Sequence, residues 1–199
     1  MKKYYISVII LILVLVVGFI IFKPYSHEGE VGNQVLTQDY KNATYIINGQ
    51  PVTLSNGLSE VEATPGSATK IITRYFGNEV KHDLNGDGRE DVIFLLTQET
   101  GGSGIFYYVV AALNTPKGFI GSQAYFLGDR IAPQTTEMDE GVTAMGTKRQ
   151  NVIVVNYAVR LPGEPFTTQP SLGKSTWLKL DPVTMQFGEV AQNFEGEVK

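Results

Sequence analysis

The sequence predicts an all-β fold, an antiparallel β-sandwich or half-open barrel preceded by one N-terminal transmembrane helix. Three observations predict it. Glycine supplies 21 of 199 residues while charged residues make up only 18%, the balance of a turn-rich β protein. Runs of β-branched and aromatic residues recur at near-regular spacing, with turn residues between them. A nineteen-residue stretch without a charge, Tyr4–Phe22, stands apart at the start.

As a helix rising ~1.5 Å per residue, that stretch spans about 28 Å, close to the ~30 Å hydrocarbon core of a bilayer. Lys2 and Lys3 precede it and Lys23-Pro24 closes it. A cleaved signal would end in small residues, whereas Phe19, Ile20, Ile21 and Phe22 are bulky, and without cysteine a lipoprotein anchor is excluded. Residues 1–23 are therefore expected to form an uncleaved signal-anchor helix in the cell membrane. The lysine pair places its N-terminus in the cytoplasm. Residues 24–41 are polar and aperiodic and read as a flexible stalk, residues 42–191 as an extracytoplasmic β domain, and residues 192–199 as a disordered tail. Beyond Lys23 the chain carries 13 basic and 20 acidic residues, a net charge of -7, so the domain should stand off an anionic membrane surface.

Within the β domain, Tyr45–Ile47 and Val52–Leu54 flank Asn48-Gly49, the strongest short-range hairpin signal. Asn56-Gly57 supplies a second turn, and Pro51 confines its strand to a sheet edge. Further strands are expected at Lys70–Phe76, Val92–Leu96, Ile105–Val110, Gln123–Leu127, Val152–Val159, Thr176–Leu180 and Met185–Val190. Three runs, Val92–Leu96, Ile105–Leu113 and Val152–Val155, are apolar without alternation. A strand wetted on one face would alternate, so these should be covered on both faces. No amphipathic helix is available as cover, and another sheet must serve.

Zero cysteines exclude disulfides, thiolate metal sites and a cysteine nucleophile, and two histidines, His27 and His82, leave nothing for a histidine-based triad. The acidic balance, with no basic cluster, excludes nucleic acid as a partner. Ser103 in Gly-Gly-Ser-Gly lacks the lysine and the strand-to-helix context of a phosphate loop and reads as a hairpin turn. Trp177, Tyr107 and Tyr108 read as core and rim packing, Asp139-Glu140 beside Gly141 as solvated carboxylates at a turn tip, and Leu161–Lys174, with three prolines, as a long crossover loop that could also bind.

One stretch is chemically specific: Asp83-Leu84-Asn85-Gly86-Asp87-Gly88-Arg89-Glu90-Asp91. Side-chain oxygens fall at positions 1, 3, 5 and 9, with glycine at position 6 and the Arg89 carbonyl at position 7. A hard cation such as Ca²⁺ takes 6–8 oxygens at ~2.3–2.6 Å, and this loop supplies most of them. The candidate metal ligands are Asp83, Asn85, Asp87, the carbonyl of Arg89, and Asp91. An EF-hand is excluded, because position 12 is Phe94 and the loop runs into a strand. A metal-free polar turn is the plain alternative.

The pattern Phe76-Gly77, the loop from Asp83 to Asp91, the strand Val92–Leu96, and Gly101–Gly104 leading into Ile105–Leu113 resembles the calcium-loop β unit of FG-GAP and VCBS-type repeats. The resemblance covers about 40 of the 199 residues. It implies that those loop residues hold calcium between two strands. Such repeats build propellers of at least ~4 blades; with one copy here, it implies the β unit without the propeller. The layout of anchor, stalk, this unit and the Leu127–Thr136 stretch also resembles uncharacterised membrane-anchored bacterial proteins.

These readings converge on a membrane-anchored extracytoplasmic binding or interaction domain, stabilised by a structural Ca²⁺ ion. A cell-envelope hydrolase or an accessory subunit of a membrane assembly is the alternative. The expected partners are the membrane, through the N-terminal helix, and an envelope protein or glycan. No residue set combines a nucleophile, a base and an orienting group.

Overall fold

Asn48 and Gly49 both adopt left-handed φ, 51° and 77°, the conformation that a two-residue hairpin turn requires. They join β1 (Thr44–Ile47) to β2 (Gln50–Thr53). Asn56-Gly57 repeats the device, at φ 50° and 80°, and leads into β3 (Leu58–Glu62). The remaining strands are β4 (Lys70–His82), β5 (Asp91–Glu99), β6 (Phe106–Thr115), β7 (Gly118–Gly121), β8 (Tyr125–Asp129), β9 (Ala132–Met138), β10 (Val152–Val159), β11 (Leu172–Asp181) and β12 (Gln186–Glu189). The computed structural model describes residues 37–139, 141 and 149–191. The expected anchor 1–23, most of the expected stalk and the expected tail 192–199 lie outside the described residues. Among the described residues no helix is long and apolar enough to cross a membrane.

All strand pairs between named strands are antiparallel. One sheet runs β3-β4-β5-β6-β7, with β8 also paired to β6; a second runs β12-β11-β10-β9; β1 and β2 form a separate hairpin. The runs without alternation have the expected cause. On β5 and β6, Ile93, Leu95, Val109, Ala111 and Leu113 join one core cluster with Ile153, Val155, Tyr157, Leu178 and Leu180. Val92, Phe94, Leu96, Tyr108, Val110 and Ala112 point the other way, into a cluster with Tyr45, Ile47 and Leu54 of the hairpin layer. Successive side chains thus go to opposite faces, and both faces are covered. Each fully buried large aliphatic or aromatic chain contributes roughly 1.5–3 kcal/mol.

The boundary expected at residue 42 moves. Thr37 bridges Phe119, and Tyr40–Asn42 form a 3-10 turn. The Tyr40 ring packs on Phe94 and Phe119 at centroid distances of 5.5 and 5.7 Å. The last five residues of the segment read as stalk therefore belong to the domain, because one aromatic ring repays the ordering of a polar stretch. Strand β4 also passes its expected end at Phe76, running through a bulge at Gly77 (φ 114°) and Asn78 (φ 49°) as far as His82. Strands β3, β7 and β9 were not anticipated. They are short or polar and exist through pairing with a neighbour.

Candidate functional site

The loop Asp83–Asp91 connects β4 to β5 and is organised by its own carboxylates. Asp83 accepts three backbone N–H bonds: Oδ1 from Gly86 (2.7 Å) and Asp87 (3.1 Å), and Oδ2 from Gly88 (2.8 Å). The chain can curl around one side chain because Gly86 and Gly88 take φ of 81° and 82°, conformations open to glycine at little cost. Those amides, that of Gly88 foremost, hold the Asp83 carboxyl below its ordinary range. Asn85 Oδ1 accepts from Asp87 N (3.0 Å), and its Nδ2 donates to Asp87 Oδ2 at 3.0 Å. Asp87 Oδ1 accepts from Arg89 N at 2.9 Å, and the Arg89 guanidinium pairs with Oδ2.

Asp91 is different. Its side chain is fully buried at the base of the loop, where Oδ2 accepts from Leu84 N (2.9 Å) and Oδ1 from Asn114 N (2.7 Å). One carboxylate thus ties the loop, the start of β5 and the end of β6 together. Burial pushes its carboxyl above the ordinary range, against the pull of the two amides, and the charges of Asp87 and Asp83 add to the push. Arg89 Nε donates to Asn114 O at 2.6 Å, fastening the loop to β6 a second time.

The structure thus brings Asp83, Asn85 and Asp87 into one hydrogen-bonded ring and sets Asp91 beneath it. Among the described residues no three His, Cys, Asp or Glu side chains converge as a group able to hold a metal. The donor set is nonetheless all oxygen, and each carboxylate oxygen that accepts one N–H keeps a second lone pair. That chemistry fits a hard cation better than a soft one. The local positive charge in this arrangement is the Arg89 side chain, whose backbone carbonyl alone drew notice in the sequence.

Other sequence candidates fall outside the loop. His82 ends β4, exposed, with Nε2 3.2 Å from Asn151 Oδ1. Asp139 is not a solvated turn carboxylate: it pairs with Arg149 and accepts from Gly141 N at 2.8 Å. The proline-containing loop shortens to residues 160–171, because β11 begins at Leu172. It is pinned by Arg160, which donates to Thr168 O (2.5 Å) and Arg130 O (2.7 Å), and by the Arg130 guanidinium 3.6 Å above the Phe166 ring.

A second concavity gave no sequence signal. A groove of about 430 Å³ opens on the central sheet, lined by Asn48, Gln98, Thr100, Phe106, Tyr108 and Phe126. It lies where the hairpin ends: Asn48 sits in the β1–β2 turn, and its Nδ2 donates to Tyr108 Oη at 3.1 Å. Beyond that contact the sheet face continues into the groove, with buried Gln98 opposite half-buried Phe106 and exposed Phe126 opposite buried Tyr108. Residues from four separate segments meet there, so no local spacing could announce it. No protein-family model matches this chain, and no curated protein or solved structure is significantly similar to it.

Proposed function

We propose that this protein is a binding or interaction domain carried outside the cell membrane on an N-terminal anchor, with Ca²⁺ bound as a structural ion in the loop 83–91. The observation that carries the calcium reading is the Asp83 carboxylate, which gathers three loop amides and thereby curls the stretch that bears Asn85 and Asp87. Asp83, Asn85, Asp87, the Arg89 carbonyl and Asp91 would hold the ion. Bound there, it supplies positive charge where Asp83 and Asp87 both repel Asp91, and it ties β4 to β5. The resemblance to the FG-GAP and VCBS-type calcium loop supports the same reading, with the facing sheets read as a sandwich carrying an added hairpin. The uncharged stretch Tyr4–Phe22 supports the anchor, and the groove on the central sheet supports a binding role. No carboxylate lines that groove, so it offers no acid pair for glycoside hydrolysis.

The test is thermal unfolding of the full chain in chelator and in calcium. At free calcium ~100 times the dissociation constant, binding adds about 2.7 kcal/mol, which for this size raises Tm by roughly 5–10 °C. Asp87→Ala should abolish that rise. Glu60→Gln, on the exposed β3–β4 ion pair with Lys70, should keep it. A wild-type Tm that ignores calcium returns the loop to a metal-free turn.

A further inference from the structure

Three aromatic rings form one wall of the groove at the end of the hairpin. Phe126 is 51% exposed, with its ring centroid 5.5 Å from that of Tyr108 and 6.3 Å from that of Phe106. The other wall is amide and hydroxyl: Asn48, Gln98 and Thr100. No charged side chain lines it. At about 430 Å³ the groove falls within the ~300–1,000 Å³ range of small-molecule sites, which pair apolar walls with a few placed polar groups.

Gln98 makes the case specific. It is only 7% exposed, and its Nε2 donates to Thr73 Oγ1 at 3.1 Å. That bond fixes the orientation of the amide and leaves its Oε1 without a partner among the described residues. That oxygen is not among the buried unpaired side-chain atoms of the described residues, so it stands open to an occupant that brings a hydrogen-bond donor. Tyr108 Oη already accepts from Asn48 and keeps its own hydrogen to donate. The groove therefore offers an acceptor, a donor, and aromatic faces whose negative quadrupole attracts polarised C–H groups.

We infer that this groove binds a neutral oligosaccharide, with one sugar ring laid on Phe126 and Phe106 and its hydroxyls paired to Gln98 Oε1 and Tyr108 Oη. A sugar combines a C–H face, many O–H donors and no charge, matching each of the three properties. A purely apolar ligand would leave Gln98 unpaired, and an anionic or cationic one would find no counter-charge. An extended peptide is a poorer occupant: strand addition needs a free edge, and the groove lies on a sheet face. This inference rests on the reading of the domain as a binding module, and it names the ligand class.

The test titrates the full chain, in a detergent without a sugar headgroup, with cellulose-type, amylose-type and chitin-type tetrasaccharides. An uncharged apolar peptide is titrated in parallel. Calorimetry reads affinity, and amide spectra of the Asn48 and Gln98 side chains read location. The expected result is binding of at least one saccharide with shifts at both amides. Phe126→Ala should weaken binding about tenfold or more, whereas Phe126→Trp should retain it. Phe166→Ala, at a more exposed ring outside the groove, should leave it unchanged. Peptide bound in the groove without saccharide overturns the ligand class and spares the binding module. Neither probe bound, by protein that melts cooperatively, overturns both. Saccharide binding lost equally in Phe166→Ala is surface adhesion and overturns the groove assignment. The calcium dependence of Tm, read on the same samples, tests the loop separately.

Discussion

On one face of β5 and β6, the side chains of Ile93, Leu95, Val109, Ala111 and Leu113 run beneath β10 and β11, strands of 8 and 10 residues. On the other face, Val92, Phe94, Leu96, Val110 and Ala112 run beneath β1 and β2, which have 4 residues each. The covered side chains are alike, and the covers differ in length. The longer cover buries all five side chains beneath it. The shorter one stops at Asn48-Gly49, and past it Gln98, Phe106, Tyr108 and Phe126 line an open groove. A concave site can thus arise where a covering layer is shorter than the sheet beneath it, with no special loop to build it.

The largest effect that would sharpen this comparison is at Phe94, fully buried among the rings of Tyr40, Tyr45 and Tyr75. Phe94→Ala should cost about 3–5 kcal/mol in denaturant unfolding. It should also speed amide exchange at Ile46 and Ala124, whose hydrogen bonds dock β1 beside residues 122–124. Leu178→Ala, under the opposite cover, should cost about 2–5 kcal/mol and leave exchange at those two amides unchanged. Equal acceleration by both variants would mean that the two faces unfold as one unit and would break the distinction.

A smaller effect is expected from close backbone approach. A Cβ at Gly121 would lie 2.2 Å from Thr44 O and 2.8 Å from the Tyr45 ring, so Gly121→Ala should force the hairpin away and cost about 1–3 kcal/mol. At Gly173 on β11 a Cβ would meet nothing within 4 Å, and Gly173→Ala should stay within about 0.5 kcal/mol of wild type. Urea midpoints of the two variants make the comparison. Equal values would show that hairpin contact is not the tight one.

The smallest effect is electrostatic and is read on the hairpin side. Tyr40 Oη and Tyr75 Oη both donate to Glu79 Oε2, at 2.8 and 2.7 Å. Burial first, then the bond and charge of Glu79, pushes Tyr75 up to about 12 and raises Tyr40 as well. A raised folded pKa gives stability that is whole below the unfolded tyrosine value of about 10 and is lost as pH rises toward the folded one. Stability should therefore fall between about pH 10 and 12, and Tyr75→Phe should make the fall shallower. For Glu79 the sign reverses: the Tyr75 and Tyr40 bonds lower its pKa, so its contribution is present above the unfolded carboxyl value and fades as acid passes the folded one. An alkaline profile unchanged in Tyr75→Phe would remove this network from the account.

Much of the domain was legible because its signals are local. Asn-Gly at 48–49 and 56–57 specifies left-handed φ within two residues, and β10 has the expected bounds, Val152–Val159. Strand β9, Ala132–Met138, carries Pro133, Gln134 and Thr135 and shows no period; its backbone is a strand because β10 pairs with it. The loop divides in the same way. Asp83, Asn85 and Asp87 meet as their spacing implies, since hydrogen bonds across two to five residues are set by turn geometry. Asp91 was read only as the fifth ligand. Its bond to Asn114 N crosses 23 residues and shows it to be a buried strut.

The sequence by itself determined the all-β class, the tight turns, the strands buried on both sides and the oxygen-rich loop, because each follows from backbone preference or from a period of two along the chain. Tertiary structure decided the rest. It set which layer covers which face, where the cover ends, and that Asn48, Gln98, Tyr108 and Phe126 line one groove. The physical reason is range: turn geometry and side-chain alternation act over a few residues, whereas a groove is the space left between elements whose lengths are set independently along the chain.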